Sequence, residues 1–257
     1  MAIGDFVRNS QVWKSIFRHP APRDRRNRVV VMLTNVFLHL HPVSVRKSGI
    51  DLSYTWCMGG LTFFLFLVET VTGVLLMFYY RPTLEHAYND ILALRDVTTL
   101  GILRELHRWG AHAMVITIWL HMYRVFLTGS YKPPREFNWS VGVILLVLTL
   151  LLSFTGYLLP WDQLAIWAIT VGSNMARATP LVGYEGPGAP FLQVGGVPLI
   201  HPGGDARFLL LGARFVSGDT LLRFYVLHCV AIPLAVAVLI AVHFWRVRKD
   251  GGISGAL

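Results

Sequence analysis

Four histidines carry the most telling chemistry in this sequence. His107 and His121 lie in the run HRWGAHAMVITIWLHMYR, and His228 and His243 in HCVAIPLAVAVLIAVHFWR. Ionisable side chains are costly inside apolar segments and are functional candidates there by default. Their spacing narrows the function. His107 and His121 are 14 residues apart, four turns of a supercoiled helix, so both imidazoles project from nearly one face, about 21 Å apart along the axis. His228 and His243 are 15 apart, about 60° further round an ideal helix, an offset that a modest kink or twist would absorb, and Pro233 supplies a cause for a kink. If the two runs lie parallel, the first histidine of each falls at one depth and the second at another, which makes two cross-bundle pairs. Two neutral imidazoles facing each other can ligate a haem iron from both sides. His112 lies off that face and reads as a hydrogen-bonded packing residue. No nucleophile, metal-hydrolase or phosphate motif competes.

A flat macrocycle between helices needs small residues at matching depths. Gly59 and Gly73 are 14 apart in one apolar run, and Gly142 and Gly156 are 14 apart in another. This glycine ladder repeats the histidine ladder, and the agreement across three runs points to two haems.

The elements that must position these residues are membrane spans. Of 257 residues, 54% are hydrophobic and 14% charged, a membrane composition. About 20 apolar residues cross a bilayer, and four runs reach that length: 54–80, 109–129, 139–159 and 222–245. The expected fold is an all-α integral membrane protein, a four-transmembrane-helix haem-binding bundle with amphipathic surface helices. Residues 1–53 form a basic N-terminal segment lying on the membrane surface, and 54–257 the bundle domain, with a long connection at 160–221. The first apolar run is too long for a signal-peptide core, so the N-terminus is expected to stay attached. Cys57 and Cys229 both fall in apolar runs, which argues against a secreted disulfide framework.

The net charge is +9. Its basic residues sit at the ends of apolar runs, which suits an anionic lipid surface rather than nucleic acid. By the positive-inside rule, the basic N-terminal segment, the connection carrying Arg124, Lys132 and Arg135, and the end carrying Arg246, Arg248 and Lys249 face the cytoplasm. Both termini are then inside, most simply in a bacterial inner membrane. The connection after the first run, where Arg81, Arg95, Arg104 and Arg108 are balanced by acids, and the Gly- and Pro-rich 160–221 face the opposite, positive side.

The stretches FYYRPT, HRWGAHAMVITIWLHMYRVFLTGSYKPPRE, TGYLLPWDQ and HFWRVRKDGGISG resemble the cytochrome b6 family over roughly residues 55–180 and 220–257. That family is the split, four-helix form of cytochrome b, whose remaining helices lie on a separate chain, subunit IV. The resemblance implies two haem b groups, one on the positive side held by His107 and His228, the other on the negative side held by His121 and His243. It implies a third, c-type haem attached covalently through Cys57 in YTWCMGGLT, although a lone cysteine is otherwise a small buried hydrophobe and no CxxCH motif is present. Cys229 reads as packing. Arg108, Arg124, Arg223 and Arg248 are candidate partners of haem propionates or quinone, since guanidinium is a permanently charged fork; each is otherwise an interfacial anchor.

The stretch from Gly156 to Gly183 is similar to the family's short amphipathic helices walling a quinol-oxidation pocket. The PEWY motif that completes this pocket from the other chain is absent here. Residues 185–218 depart from the family as a Gly- and Pro-rich insertion. The implied activity is that of a quinol:cytochrome c, or plastocyanin-like acceptor, oxidoreductase. Its partners would be a subunit IV-like chain, a Rieske-type iron–sulfur protein, a c-type cytochrome and quinone, in a homodimeric complex. Two other readings compete: a di-haem membrane anchor linking a dehydrogenase to the quinone pool, and a haem-free transporter or scaffold whose histidines relay protons.

Overall fold

The computed structural model describes residues 3–10, 13, 22–34 and 47–253. Much of the basic N-terminal segment, with Lys14 and Arg18, and the end of the C-terminal motif at 254–257 lie outside the described residues. Packing divides the chain into two compact units. One comprises Met1–Met58, Leu120–Ile144 and Val238–Leu257, the other Gly59–Trp119 and Leu145–Ala237.

In the first unit, α1 (Ile3–Asn9) and α2 (Arg25–Thr34) are short helices, and Arg23, Arg25, Arg26 and Arg28 are exposed. A 3-10 turn leads to α3 (Leu52–Thr55). Asp51 caps α3, accepting from the Ser53 amide at 3.0 Å and hydroxyl at 2.8 Å, bonds that hold its carboxyl below the ordinary range. The helix ends at Trp56 and Cys57, both with φ of 50°, and α4 (Met58–Met77) follows.

The run predicted as one helix over 54–80 is therefore two helices with a left-handed break. The Trp56 amide closes the short helix on Leu52 O at 2.7 Å, and the Thr55 hydroxyl takes the Cys57 amide at 3.3 Å, so the ladder cannot continue through 57. Cys57 is exposed in this break, a correction to its expected place inside a span.

The second unit continues through α4, α5 (Ala87–Asp96) and α6 (Thr98–Leu127). Before α5, Arg81 forks onto Asp90 at 2.6 and 3.0 Å. The guanidinium's hydrogen bonds hold the buried Asp90 carboxyl below its ordinary range. The helix α6 starts at Thr98 rather than 109, and in its turns before the apolar run Glu105 pairs with Arg108 on the same face.

Next come α7 (Glu136–Leu158) and α8 (Gln163–Arg177). The two-residue strands β1 (Gln193–Val194) and β2 (Val197–Pro198) pair antiparallel, an exception to the all-helical expectation. Beyond them lie α9 (Ala206–Leu211), α10 (Gly218–Val226), a π turn (Leu227–Ala231) and α11 (Ile232–Lys249).

The predicted long connection 160–221 is thus folded. Buried Ala165 and Ile169 of α8 form one cluster with Leu158, Leu211 and Phe224. Asp205 caps α9 through the Phe208 amide at 2.8 Å, and Thr220 donates to Leu211 O at 2.9 Å.

Among the described residues three helices are long and apolar enough to cross a membrane: Met58–Met77, Glu136–Leu158 and the continuous Gly218–Lys249. Four were expected. The helix α6 is long enough at 30 residues but falls short in apolarity, since it carries Arg104, Glu105, Arg108, Arg124 and three histidines.

Candidate functional site

In the second unit, His107 of α6 faces His228 of the π turn, with ring centroids 6.1 Å apart and planes at 83°. His107 Nδ1 lies 2.9 Å from Thr72 Oγ1 and 3.0 Å from Glu69 Oε2. The Thr72 hydroxyl proton is already given to Val68 O at 2.7 Å, so the Thr72 oxygen accepts and Nδ1 donates. That tautomer leaves the Nε2 lone pair bare. The same logic holds opposite: His228 Nδ1 donates to Leu152 O at 3.1 Å. Thr155, 3.2 Å from the same nitrogen, spends its proton on Leu151 O. Both imidazoles thus present a bare Nε2 and a tethered Nδ1, the arrangement that orients a metal-ligating histidine.

In the first unit, His121 of α6 and His243 of α11 have centroids 6.4 Å apart and planes at 79°. Their Nδ1 atoms are buried without a hydrogen-bond partner among the described residues, as is Arg124 Nε. With metal–nitrogen bonds of about 2 Å and ring centres about 1 Å beyond the nitrogens, two imidazoles on one iron have centroids roughly 6 Å apart. Both pairs fit haem iron. Among the described residues no group of three or more His, Cys, Asp or Glu gathers, so neither pair belongs to a larger all-protein metal cage.

Three of the four predicted glycines lie against these histidines. A methyl group at Gly156 would lie 2.5 Å from His228 Cε1, one at Gly73 3.1 Å from His107 Cε1, and one at Gly142 3.9 Å from His243 Cε1. Gly59 sits in the first turn of α4.

The arginines are less uniform. Arg108 pairs with Glu105 and lies over the Trp109 ring at 4.9 Å. Arg124 lies over Tyr54 at 5.5 Å. Arg223 is turned onto α9, donating to Leu209 O at 3.0 Å. Arg248 is half-buried in the last turn of α11. His112 is exposed and bonds to Arg108 O at 2.6 Å. Tyr88, Trp161, Asp162, Gln163 and Leu164 line an open depression at the start of α8.

Glu69, Thr72 and Thr155 were not singled out from the sequence. A signal existed: each threonine directly precedes a glycine of the ladder, and Glu69 is the one charged residue in α4.

The family model described as Cytochrome b/b6/petB matches residues 43–185. A protein described as cytochrome b6, from Gracilaria tenuistipitata var. liui, is 40% identical over 203 residues, 79% of this chain and 85% of that protein. A solved structure described as a hyperthermophilic respiratory Complex III superposes with a TM-score of 0.68 at 21% identity, covering 97% of this chain. This chain spans 55% of the length of that one, and at such identity the likeness is one of fold. With half the chain under the family model and a curated relative matched over most of its length, the chain belongs to the cytochrome b/b6 family.

Proposed function

We propose that the chain is the electron-carrying cytochrome b subunit of a quinol-oxidising, Complex III-like assembly, with α6 as a fourth membrane span. The observation that carries this reading is the pair of opposed imidazole couples at 6.1 and 6.4 Å, which support two bis-histidine b haems in a family that implies b-type haem. Bound haem supplies one-electron transfer.

The chain's own part is positional. Nε2 of His107 and His228 is held bare by Nδ1 hydrogen bonds, the glycines of α4 and α7 admit close approach, and the apolar helices exclude water. Arg124, with its buried unpartnered Nε, is placed three residues from His121 to receive an anionic propionate, and Arg108, Arg223 and Arg248 are weaker candidates for propionate or quinone. Tyr88 and the Trp161–Leu164 segment would wall a quinol-oxidation pocket that a subunit IV-like chain completes. A Rieske-type iron–sulfur protein, a c-type cytochrome and a second copy of the complex are the expected partners. The exposed Cys57 thiol is accessible for a thioether to a third haem. Residues 1–53 would lie on the surface of a bacterial inner membrane with both termini cytoplasmic, and 54–257 would form the haem-binding domain.

Purification of the complex from membranes, with reduced-minus-oxidised spectra, tests the proposal. Two b haems per chain with an iron–sulfur protein in the preparation are expected. Haems with a dehydrogenase instead would make the chain a di-haem anchor, and no b-type absorbance would leave only a haem-free role.

A further inference from the structure

Glu69 is a carboxylic side chain in the middle of an apolar helix, at 14% side-chain exposure, and haem ligation by itself does not require it. Its place is specific. Oε2 lies 3.0 Å from His107 Nδ1, and Oε1 is buried without a hydrogen-bond partner among the described residues. The facing helix makes room for it: a methyl group at Gly110 would overlap Glu69 Oε1. Gly110 is outside the 14-residue glycine ladder, so the carboxyl supplies a separate reason for a glycine there.

We propose that Glu69 is a positioning residue for the His107 ligand, its Oε2 being the second acceptor on the imidazole Nδ1–H and thereby tuning the potential of the haem held by His107 and His228. The inference rests on the proposed two-haem function. A carboxylate accepts more strongly than a hydroxyl or amide oxygen. Drawing the Nδ1 proton toward this second acceptor makes Nε2 a more basic donor, and stronger donation favours the ferric over the ferrous state, which lowers the potential. Neither His121 nor His243 is paired with a carboxylate among the described residues, the Asn138 backbone being the group beside His243, so the other pair serves as an internal control.

Equilibrium redox titration of the b-type absorbance, on the full chain in its membrane complex, measures the effect. Glu69→Gln keeps the shape and a weaker acceptor, so haem content should be unchanged while the midpoint of one haem moves to more positive potential and the other stays put. Gly110→Ala, which displaces the carboxyl but retains it, should move the same midpoint in the same direction by less, and this variant decides should Glu69→Gln lose haem. Both midpoints unmoved, or both moved equally, would overturn the proposal. Absence of b haem from the unsubstituted chain would instead overturn the two-haem function beneath it.

Discussion

Replacing Gly156 by alanine puts a methyl carbon 2.5 Å from His228 Cε1 and 3.1 Å from both ring nitrogens, where ordinary contact begins at 3.4 Å. The imidazole has to retreat by about 1 Å. Its Nδ1 bonds, at 3.1 Å to Leu152 O and 3.2 Å to Thr155 Oγ1, already lie near the outer limit, so such a shift breaks at least one of them. Overpacking of this kind costs about 1–3 kcal/mol and a lost hydrogen bond about 1 kcal/mol more. At 1.4 kcal/mol per decade, roughly 3 kcal/mol weakens haem retention at this pair about 100-fold.

The assay is haem content per chain and the reduced-minus-oxidised spectrum of the purified complex, with Gly142→Ala beside it. Gly142 is the sequence equivalent of Gly156, but its methyl would meet His243 Cε1 at 3.9 Å. Gly156→Ala should lose one b haem selectively, and Gly142→Ala should keep both. Full haem and unchanged spectra in Gly156→Ala would refute the argument. Equal loss in both variants would show that the glycines make room for the macrocycle and not for the imidazole.

Three further outcomes follow from the same geometry. His121→Ala should remove one b haem and leave the His107–His228 haem, since each pair closes on itself; quantified haem that does not fall would contradict the ligand assignment. Cys57→Ser should abolish any haem stain that survives denaturation on a gel, because a thioether persists where histidine ligation does not, while Cys229→Ser should leave it. Asp90, held below the ordinary carboxylate range by Arg81, adds stability that is complete above its unfolded value of about 4 and is lost as pH falls through the lower folded value. Thermal melting from about pH 6 to about pH 3 should therefore flatten on the acid side in Asp90→Asn, and an unchanged acid limb would show that the pair is not coupled to unfolding.

What was legible in the sequence, and what was not, follows from how far each signal reaches. The histidine pairs were legible because side chains that face each other across helices must sit at a fixed depth on a fixed face, and helical spacing encodes both. The break at Trp56 and Cys57 was not, since it is made by local hydrogen bonds from Asp51 and Thr55 within a stretch whose hydrophobicity runs on unbroken. The order within 185–218 was hidden for the opposite reason: its Gly and Pro content reads as loop, while its order comes from burying Leu211 in one cluster with Ala165 and Ile169 of α8, which no local pattern announces. Apolarity picked out 109–129 in the sequence, yet α6 is not among the three helices apolar enough to cross a membrane, since its histidines and charges dilute that property.

The 15-residue interval between His228 and His243 pointed to an irregularity at Pro233, a kink or a twist, and the structure has one beside it. Pro233 was expected to kink the helix. It has no amide proton to give to the carbonyl four residues earlier, and its ring presses on that carbonyl at Cys229. In the structure the ladder widens: the Ile232 amide reaches back to Leu227 O, closing a π turn over Leu227–Ala231. A π turn takes up one residue more than an α turn, and one residue is the amount by which 15 exceeds the 14 separating His107 from His121. The extra residue and the proline that accommodates it lie beside His228, so the irregularity that looked like a defect in the histidine spacing is the device that corrects it.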